Sequence, residues 1–236
     1  MRGRLSRILP FGIALMCLGA ALLSVSCSSG KSRYRFVHAT TSIPTSVDLF
    51  VDGKSVQTAI SFGQTATYRS GSSGSRKFEL FANGTTTNPY VSASVSLGSG
   101  DTTVIAEGTS TSTIGLAPYT DDNTAPTTGN IKLRVINAAP TVAPQGSGVD
   151  VYVVPTTQGI AGVNPQFNIA YGNASNYLSL SAATYDVIMT VQGTQSIISN
   201  LTTTLPLTAG QIRTLVVLDA PNGGGPYSLL TLNDLN

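Results

Sequence analysis

Short runs with an apolar residue at every second position most restrict the fold of this chain. Segments 47–52 and 149–154 both show this alternation with Val or Leu. A period of two predicts strands that turn one face toward a core. After the first 30 residues, no stretch long enough for a helix carries an apolar stripe at helical spacing. The sequence therefore predicts an all-β protein. Further strands are predicted at 34–38, 77–82, 91–97, 102–107, 131–137, 185–191 and 212–218.

The two halves of the sequence share landmarks in the same order, which indicates an internal repeat. Segment 35–39 corresponds to 134–138, and 47–51 corresponds to 149–153. The remaining pairs are 62–68 with 171–177, 75–80 with 183–187, and 97–104 with 207–215. The offset between the copies grows from 99 to 110 residues, so the second copy carries small insertions.

The first 26 residues have the pattern of a bacterial export signal. Three arginines within the first seven residues precede an uncharged apolar run at 11–25. This run is too short, and wrongly flanked, for a helix that spans a membrane. The segment is therefore predicted to direct export and to be removed.

Cys27 is the candidate for lipidation. Residues 22–27 resemble a bacterial lipobox, in which Cys27 would be acylated and become the first mature residue. Ser24 stands where a lipobox usually has Leu. The alternative is cleavage after Ser24 or Ser26, which would release a secreted protein.

The domain plan follows from the repeat and the signal. About 210 residues remain after the signal, enough for two domains of roughly 100 each. The polar segment 121–129 separates the copies and contains Pro and Gly. We expect two tandem immunoglobulin-like or prealbumin-like antiparallel β-sandwich domains. The predicted divisions are 1–26 signal peptide, 27–33 tether, 34–122 first sandwich, 123–130 linker and 131–236 second sandwich.

The landmarks together resemble a family of exported bacterial proteins, the domain of unknown function 4397. Its pattern is an opening strand, then Val-Asp-hydrophobic-aromatic-Val, then Phe or Tyr followed by Gly before a Tyr. Both halves fit, and 47–53, with a hairpin turn at 52–54, is the most distinctive part. In the second copy 154–159 replaces that turn, which puts a tight hairpin there in doubt. The resemblance implies β-sandwiches on the cell surface and no established reaction.

Charge and cysteine content exclude several classes of function. Without the three signal arginines, 10 basic residues face 11 acidic ones, so the mature chain is nearly neutral. Scattered Lys and Arg offer no electrostatic attraction to nucleic acid or to anionic lipid. Both cysteines, Cys17 and Cys27, lie in the signal region, so no internal disulfide is predicted. We expect a monomer without a cofactor.

Candidate catalytic and metal-binding residues are few. His38 is the one histidine, and its repeat partner Asn137 indicates a hydrogen-bonding role at a strand end rather than catalysis. One His cannot complete a zinc site. Asp48 and Asp150 occupy equivalent positions, so we expect them to bind backbone N–H groups of neighbouring loops, with a carboxylate pair for glycoside hydrolysis as the alternative. The run 121–123 could hold calcium, but it has the character of a solvated linker.

Tyrosines are the remaining candidates for recognition, since an exposed Tyr can stack on a sugar or anchor a protein partner. Tyr68 and Tyr177 lie at repeat landmarks, so they are expected to pack in the core or its rim, and they are also the possible ligand contacts. The glycine-rich segments 71–75 and 223–225 are interpreted as loops, because neither precedes a helix that could bind phosphate.

The sequence thus predicts a non-catalytic lipoprotein of the bacterial cell envelope with two β-sandwich binding or spacer modules. Ser28 after the cysteine resembles outer-membrane sorting where two membranes exist. Carbohydrate or polymer binding through loops and exposed tyrosines is the alternative, and a carboxylate-based hydrolase is a third hypothesis. No catalytic, cofactor or metal site is predicted.

Overall fold

The computed structural model describes residues 31–43, 45–143 and 147–234. These ranges contain 17 strands and no α-helix, which confirms the all-β prediction. The export signal and Cys27 lie outside the described residues, so their assignments stay predictions.

The first eight strands form one β-sandwich, the first sandwich. They are β1 (Lys31–His38), β2 (Val47–Val51), β3 (Lys54–Ile60), β4 (Arg69–Ser72), β5 (Gly74–Ala82), β6 (Val91–Leu97), β7 (Gly100–Glu107) and β8 (Gly115–Asp121). One sheet has the order β4-β1-β7-β8 and the other β3-β2-β5-β6. Buried side chains such as Phe36 and Phe78 fill the space between the sheets. Burial of this apolar area is the main stabilising contribution.

The remaining nine strands form the second sandwich. They are β9 (Asn130–Asn137), β10 (Gly148–Pro155), β11 (Phe167–Ala170), β12 (Asn173–Ala174), β13 (Leu178–Ser181), β14 (Thr184–Val191), β15 (Ile197–Pro206), β16 (Ile212–Leu218) and β17 (Ser228–Asn233). Its sheets have the orders β12-β9-β16-β17, with β13 also on β9, and β11-β10-β14-β15. The core includes Leu133, Val151 and Met189. Strand order therefore matches that of the first sandwich, while the exact domain boundaries stay a prediction.

One strand pair in each sandwich departs from the antiparallel expectation. β1 runs parallel to β7, and β9 runs parallel to β16. The other paired strands of the described chain are antiparallel. A parallel neighbour requires a long crossover, and here the strands of the opposite sheet provide it.

Several strands carry no clear sequence signal. β8 contains Pro118, which the sheet tolerates because β8 is an edge strand. β15 is rich in Thr, and six of its ten residues are exposed. Such edge strands lack the strict apolar alternation that predicts the central ones.

The β2–β3 turn forms as the sequence predicts. Asp52 and Gly53 have φ values of 51° and 74°, so two residues join the strands. Two consecutive left-handed residues are the signature of the type I′ hairpin that Asp-Gly favours. In the second sandwich, β10 and β11 are joined by residues 156–166 instead, in agreement with the altered sequence there.

The two sandwiches pack against each other through one sheet each. These inner sheets are β4-β1-β7-β8 and β12-β9-β16-β17. Val37 and Ile105 of the first sandwich and Ile136 and Val216 of the second belong to one buried cluster. Each inner sheet is therefore buried on both faces around its central strands.

Candidate functional site

The most developed polar site in the described chain lies between the two inner sheets. We call it the interface network, and each sandwich contributes one Arg, one Tyr, one Thr and one Asp. Its members are Arg35, Tyr68, Thr103 and Asp121 from the first sandwich and Arg134, Tyr177, Thr214 and Asp234 from the second.

Asp121, at the end of β8, is the acceptor for three donors. Thr103 donates from the neighbouring strand β7 at 2.8 Å, and the Tyr68 hydroxyl donates at 2.6 Å. The third donor is Nη2 of Arg134, which comes from the other sandwich. Arg134 also donates to the carbonyl of Thr120 at 2.9 Å. The carboxylate thus accepts from three donors and is paired with a cation across the interface.

Asp234 repeats this arrangement in the opposite direction. Thr214 donates to it at 2.8 Å and the Tyr177 hydroxyl at 3.2 Å. Its cation is Arg35, which also donates to the carbonyl of Asn233 at 3.1 Å. Each arginine therefore pairs with the carboxylate of the other sandwich.

Each arginine is held in place by its own sandwich. The Arg35 guanidinium lies 4.7 Å from the ring centroid of Tyr68, and its Nε donates to Thr103 at 2.8 Å. Arg134 lies 4.7 Å from the Tyr177 ring centroid and bonds Thr214. A planar group that lies flat on an aromatic ring and carries a fixed fork of donors distinguishes Arg from Lys.

Burial makes this network energetically sensitive. The two arginines are 2% and 3% exposed, and the two carboxylate side chains are fully shielded from solvent. Charges in such surroundings are tolerated only when paired and hydrogen bonded. Because every charge has a counterpart, the network offers no free acid, base or nucleophile. The network holds the two inner sheets together.

Tyr68 and Tyr177, the possible ligand contacts, belong to the interface network. Both are partly buried, and burial raises the pKa of each phenol well above its usual value. Their hydroxyls and one ring face are occupied by Asp and Arg partners. This is the rim packing that the sequence indicates. Contact with an external ligand stays a prediction.

Asp48 and Asp150 have the predicted backbone-binding role. Asp48 accepts from the N–H groups of Ala59 and Gly84 and from the Asn83 amide, each at 2.8 Å. Burial opposes its ionisation, but these donors outweigh burial and hold the pKa of Asp48 below its usual value. Asp150 accepts from the Asn168 amide and from the backbone N–H of Gly193 at 2.8 and 2.7 Å. The carboxylates fasten loops at equivalent places.

His38 is completely buried at the end of β1. Its Nε2 lies 3.4 Å from the carbonyl of Thr45, and its ring meets Phe62 edge to face. Burial lowers the pKa of this imidazole, with the backbone hydrogen bonds opposing that shift. Asn137, its repeat partner, donates to the Ile169 carbonyl at 3.1 Å. Both residues therefore fasten a strand end, as the sequence predicts.

The run 121–123 does not converge on one point. Asp121 belongs to the interface network, Asp122 binds Lys132 at 2.6 Å, and Asn123 donates to Asp101 at 2.7 Å. Within the described ranges, no group of three His, Cys, Asp or Glu side chains is placed to hold a metal ion. The three side chains fasten the crossing between the sandwiches instead.

Glu107 is a second titratable group at the interface that the sequence does not single out. Burial raises its pKa to about 7, and the nearby Tyr119 hydroxyl opposes that shift. Tyr171 lies nearby, and its pKa is raised to about 12 by burial and by the Glu107 charge. A Cβ added to Gly172 would lie 3.6 Å from Glu107 Oε1, so the second sandwich packs closely on this carboxyl group.

Sequence reasoning missed most of the interface network. It marked the two tyrosines and the repeated Arg-containing segments, but it did not connect Arg35 with Asp234, which lie 199 positions apart. A usable signal existed: each copy carries Arg, Tyr, Thr and Asp in the same order. The informative residue in that signal is the Arg in the middle of each predicted central strand, because a charged side chain that is buried there needs a partner.

The family comparison finds a match in the first part of the chain. Residues 32–144 match the model of the Domain of unknown function (DUF4397), which covers most of β1 through β9. The predicted resemblance is confirmed for this segment, and for the second half it stays a prediction. A search of curated proteins finds no match. In the described part of the chain, no helix has the length and apolar character needed to cross a membrane.

Solved structures give only distant likeness. One is the Bacillus anthracis TIE protein, at 9% identity and a TM-score of 0.25; 80% of this chain is covered, and the chain spans only 34% of that protein. A second is a structure described as alpha-glucan recognition by family 41 carbohydrate-binding modules from streptococcal virulence factors. It has 9% identity and a TM-score of 0.28, with 84% of this chain and 96% of that chain covered. A third is a family 26 module of Eubacterium rectale Amy13K in complex with maltoheptaose. It has 9% identity and a TM-score of 0.27, with 84% of this chain and 95% of that chain covered. Scores this low carry no inference about function.

Proposed function

We propose that this protein is a non-catalytic cell-envelope lipoprotein that displays two β-sandwiches as one rigid unit, either as a spacer or as paired binding modules. The observation that carries the proposal is the interface network. Two buried Arg-Asp pairs cross between the sandwiches in opposite directions, beside a shared apolar cluster. Such an interface resists bending between the sandwiches, which is what a display or spacer unit needs.

The chemistry of the described side chains supports a non-catalytic role. His38 is buried, and the carboxylates of Asp48 and Asp150 accept hydrogen bonds from loop N–H groups. Catalytic acids and bases must reach a substrate proton. Turnover of any substrate that is abolished by Asp48→Ala or His38→Ala without loss of folding would contradict the proposal.

We infer that the second sandwich is a further copy of the same domain. Its strand order repeats that of the first sandwich, and each sandwich contributes the same four residue types to the network. Duplication followed by reciprocal pairing accounts for an interface in which both halves present the same set of groups, as in two-fold dimers.

The membrane anchor is the part of the proposal that rests on sequence alone. Its test is the intact mass of the protein extracted from bacterial membranes. A mature chain that begins at Cys27 and carries acyl groups is expected. Cys27→Ser should appear in the soluble fraction instead. An unmodified Cys27 would remove the anchor and favour secretion.

Rigidity is tested separately by measuring the distance between spin labels. A pair at Ser94→Cys and Ser199→Cys, exposed sites on the outer sheets of the two sandwiches, should give one narrow distance distribution. Arg134→Met should broaden it, whereas the surface control Lys54→Met should not. A broad distribution in the unsubstituted network would contradict the rigid unit.

Carbohydrate or polymer binding remains the alternative. Tyr171, at 38% exposure, favours it because an accessible ring can stack on a sugar. A glycan array probed with the purified protein distinguishes the two. Binding that Tyr171→Ala abolishes would support recognition, and absence of signal would leave the spacer role.

A further inference from the structure

We propose that the tether end of the first sandwich, the end where β1 begins, is a basic surface that binds anionic lipid headgroups of the membrane holding the Cys27 anchor. This inference deepens the proposed function and depends on it. The tether end is formed by the start of β1, the β2–β3 turn, the β4–β5 turn and the β6–β7 turn.

Charge in the described chain is segregated onto this end. Six exposed or partly exposed basic side chains lie there: Lys31, Arg33, Lys54, Arg69, Arg76 and Lys77. They are all the basic residues of the first sandwich apart from buried Arg35. The remainder of the residues from 31 onward carry four basic and eight acidic side chains. A nearly neutral total therefore conceals a positive end, which corrects the expectation drawn from composition.

Local contacts bring these side chains together. Arg76 bonds the carbonyls of Ser72 and Ser73 in the β4–β5 turn and lies 3.4 Å from Asp52 in the β2–β3 turn. A groove of about 300 Å³ is lined by Lys54 and Arg76 among others.

A second groove, of about 580 Å³, is lined by Lys31 and Arg33. The two grooves share Ser70 and Gly71 on β4, so they adjoin each other. The basic groups thus border one continuous, indented surface.

Carboxylates neutralise only half of this charge. Asp101 binds Arg33 at 2.6 Å, Glu79 binds Lys77 at 2.7 Å, and Asp52 lies near Arg76. Lys31, Lys54 and Arg69 form no ion pair in the described chain. Three formal positive charges are therefore left over to attract an anionic surface.

The covalent anchor brings this surface close to the membrane. Only four residue steps separate Cys27 from Lys31, a reach of about 14 Å at full extension. This reach is longer than the Debye length of about 8 Å at physiological ionic strength, so the basic groups attract headgroups effectively only when this end settles against the membrane. Basic residues beside an anchor supply the second attraction that makes lipid anchoring stable. An anchored chain thus keeps Lys31 within about 14 Å of the lipid-bearing residue.

The test uses the mature protein extracted from membranes, with Ser73→Cys carrying a fluorophore and Thr86→Cys at the opposite end of the sandwich as control label. Each is reconstituted into phosphatidylcholine vesicles with or without one third phosphatidylglycerol, and with a quencher on the headgroup. We expect Ser73 quenching to be at least threefold stronger in the anionic vesicles, and Thr86 quenching to be unchanged.

Charge variants make the test specific. Lys54→Glu with Arg69→Glu turns the excess of three positive charges into one negative charge and should abolish the difference between vesicles. Lys54→Arg with Arg69→Lys, which retains the charge, should preserve it. Equal quenching in both vesicle types, or persistence of the difference in the Glu variant, would overturn the inference.

Failure of the anchor is detected separately by intact mass before any vesicle is added. If Cys27 carries no acyl group, the proposed anchoring fails. Co-sedimentation of that protein with the same vesicles then tests the basic surface alone. Salt-sensitive binding to anionic vesicles would retain the surface as a lipid contact, and no binding would overturn it.

Discussion

The two sandwiches agree in their interface network and differ at the ends of the strands that carry it. Both place Arg, Tyr, Thr and Asp in reciprocal positions. At the strand ends, however, β1 finishes with His38 where β9 finishes with Asn137, and β7 finishes with Glu107 where β16 finishes with Leu218. Pairing of the two sandwiches thus depends on residue types present in both. The residues that end the central strands differ between the sandwiches.

The contrast between Glu107 and Leu218 shows this at matching places. A Cβ added to Gly172 would lie 3.6 Å from Glu107 Oε1, and one added to Gly63 would lie 3.6 Å from Leu218 Cδ1. The same loop of each sandwich therefore contacts an ionisable group on one side and a methyl group on the other. At this matched pair of strand ends, only the Glu107 position carries an ionisable side chain.

Removing either network arginine should have the largest effect. Arg35→Met and Arg134→Met each leave a buried carboxylate without its cation, so each should lower the free energy of unfolding by about 3–5 kcal/mol. Urea unfolding measures this, with Lys54→Met as an exposed control expected within about 0.5 kcal/mol of the parent. A loss below about 1 kcal/mol for one arginine alone would show that the two pairs are not equivalent.

Glu107→Gln should stabilise the protein above neutral pH. The folded pKa of Glu107 is about 7 against an ordinary 4.5, so the folded state binds the extra proton between these values. Stability then falls as pH rises from 4.5 to 7 and stays lowered above it. The variant should be more stable by about 2 kcal/mol at pH 8, allowing for partial exposure, and equal to the parent near pH 4. Thermal unfolding across this range checks it; a constant difference would contradict the assigned titration.

Asp48→Asn should cost more than Asp150→Asn. Asp48 accepts three hydrogen bonds and Asp150 two, and the Asn amide turns a donor toward donors. We expect a loss of about 1–2 kcal/mol at position 48 and less at position 150. Because the folded pKa of Asp48 is lowered, its contribution is present above the unfolded pKa of 3.8 and disappears as pH falls through the folded value. Urea midpoints at pH 7 and pH 3 should show this, and equal losses at the two positions would refute the ranking.

Exchanging the two strand-end residues should have the smallest effect. His38 has a lowered pKa, so the unfolded chain binds more protons below pH 6.5 and stability falls there. His38→Asn should remove that loss, so the variant should gain stability at pH 5 and change little at pH 8. Asn137→His tests the converse. If its stability profile gains no acid sensitivity, burial at the end of β9 differs from that at the end of β1.

The sequence predicts the central strands well because each combines apolar alternation with a defined turn. The Asp52–Gly53 hairpin is an example, since its residue types specify the conformation locally. Edge strands such as β8 and β15 escape prediction because one side faces solvent and their apolar pattern is weak. The parallel direction of β1 against β7 also escapes, because alternation identifies a strand without identifying its partner.

The interface network could be predicted only in part. The repeat aligns Arg35 with Arg134 and Tyr68 with Tyr177, but no local rule relates either arginine to a carboxylate in the other sandwich. Asp234 lies outside the aligned landmarks altogether. The sequence does not reveal the charge segregation at the tether end either, because Lys31, Lys54 and Arg76 reach adjoining grooves only when strand ends far apart in sequence meet.

The parallel pairing of β1 with β7 also sets an order of assembly. Arg33 lies beside Asp101, 68 positions later, so the central strand of the first inner sheet has no partner on that side until β7 has been made. The β2–β3 hairpin can form early from local contacts, whereas Arg35 must await Asp234. Non-local pairing of this kind slows folding. We therefore expect pulse-labelled hydrogen exchange to protect β2 and β3 first and β1 late, so that β1, the first strand of the described chain, is among the last to become fixed.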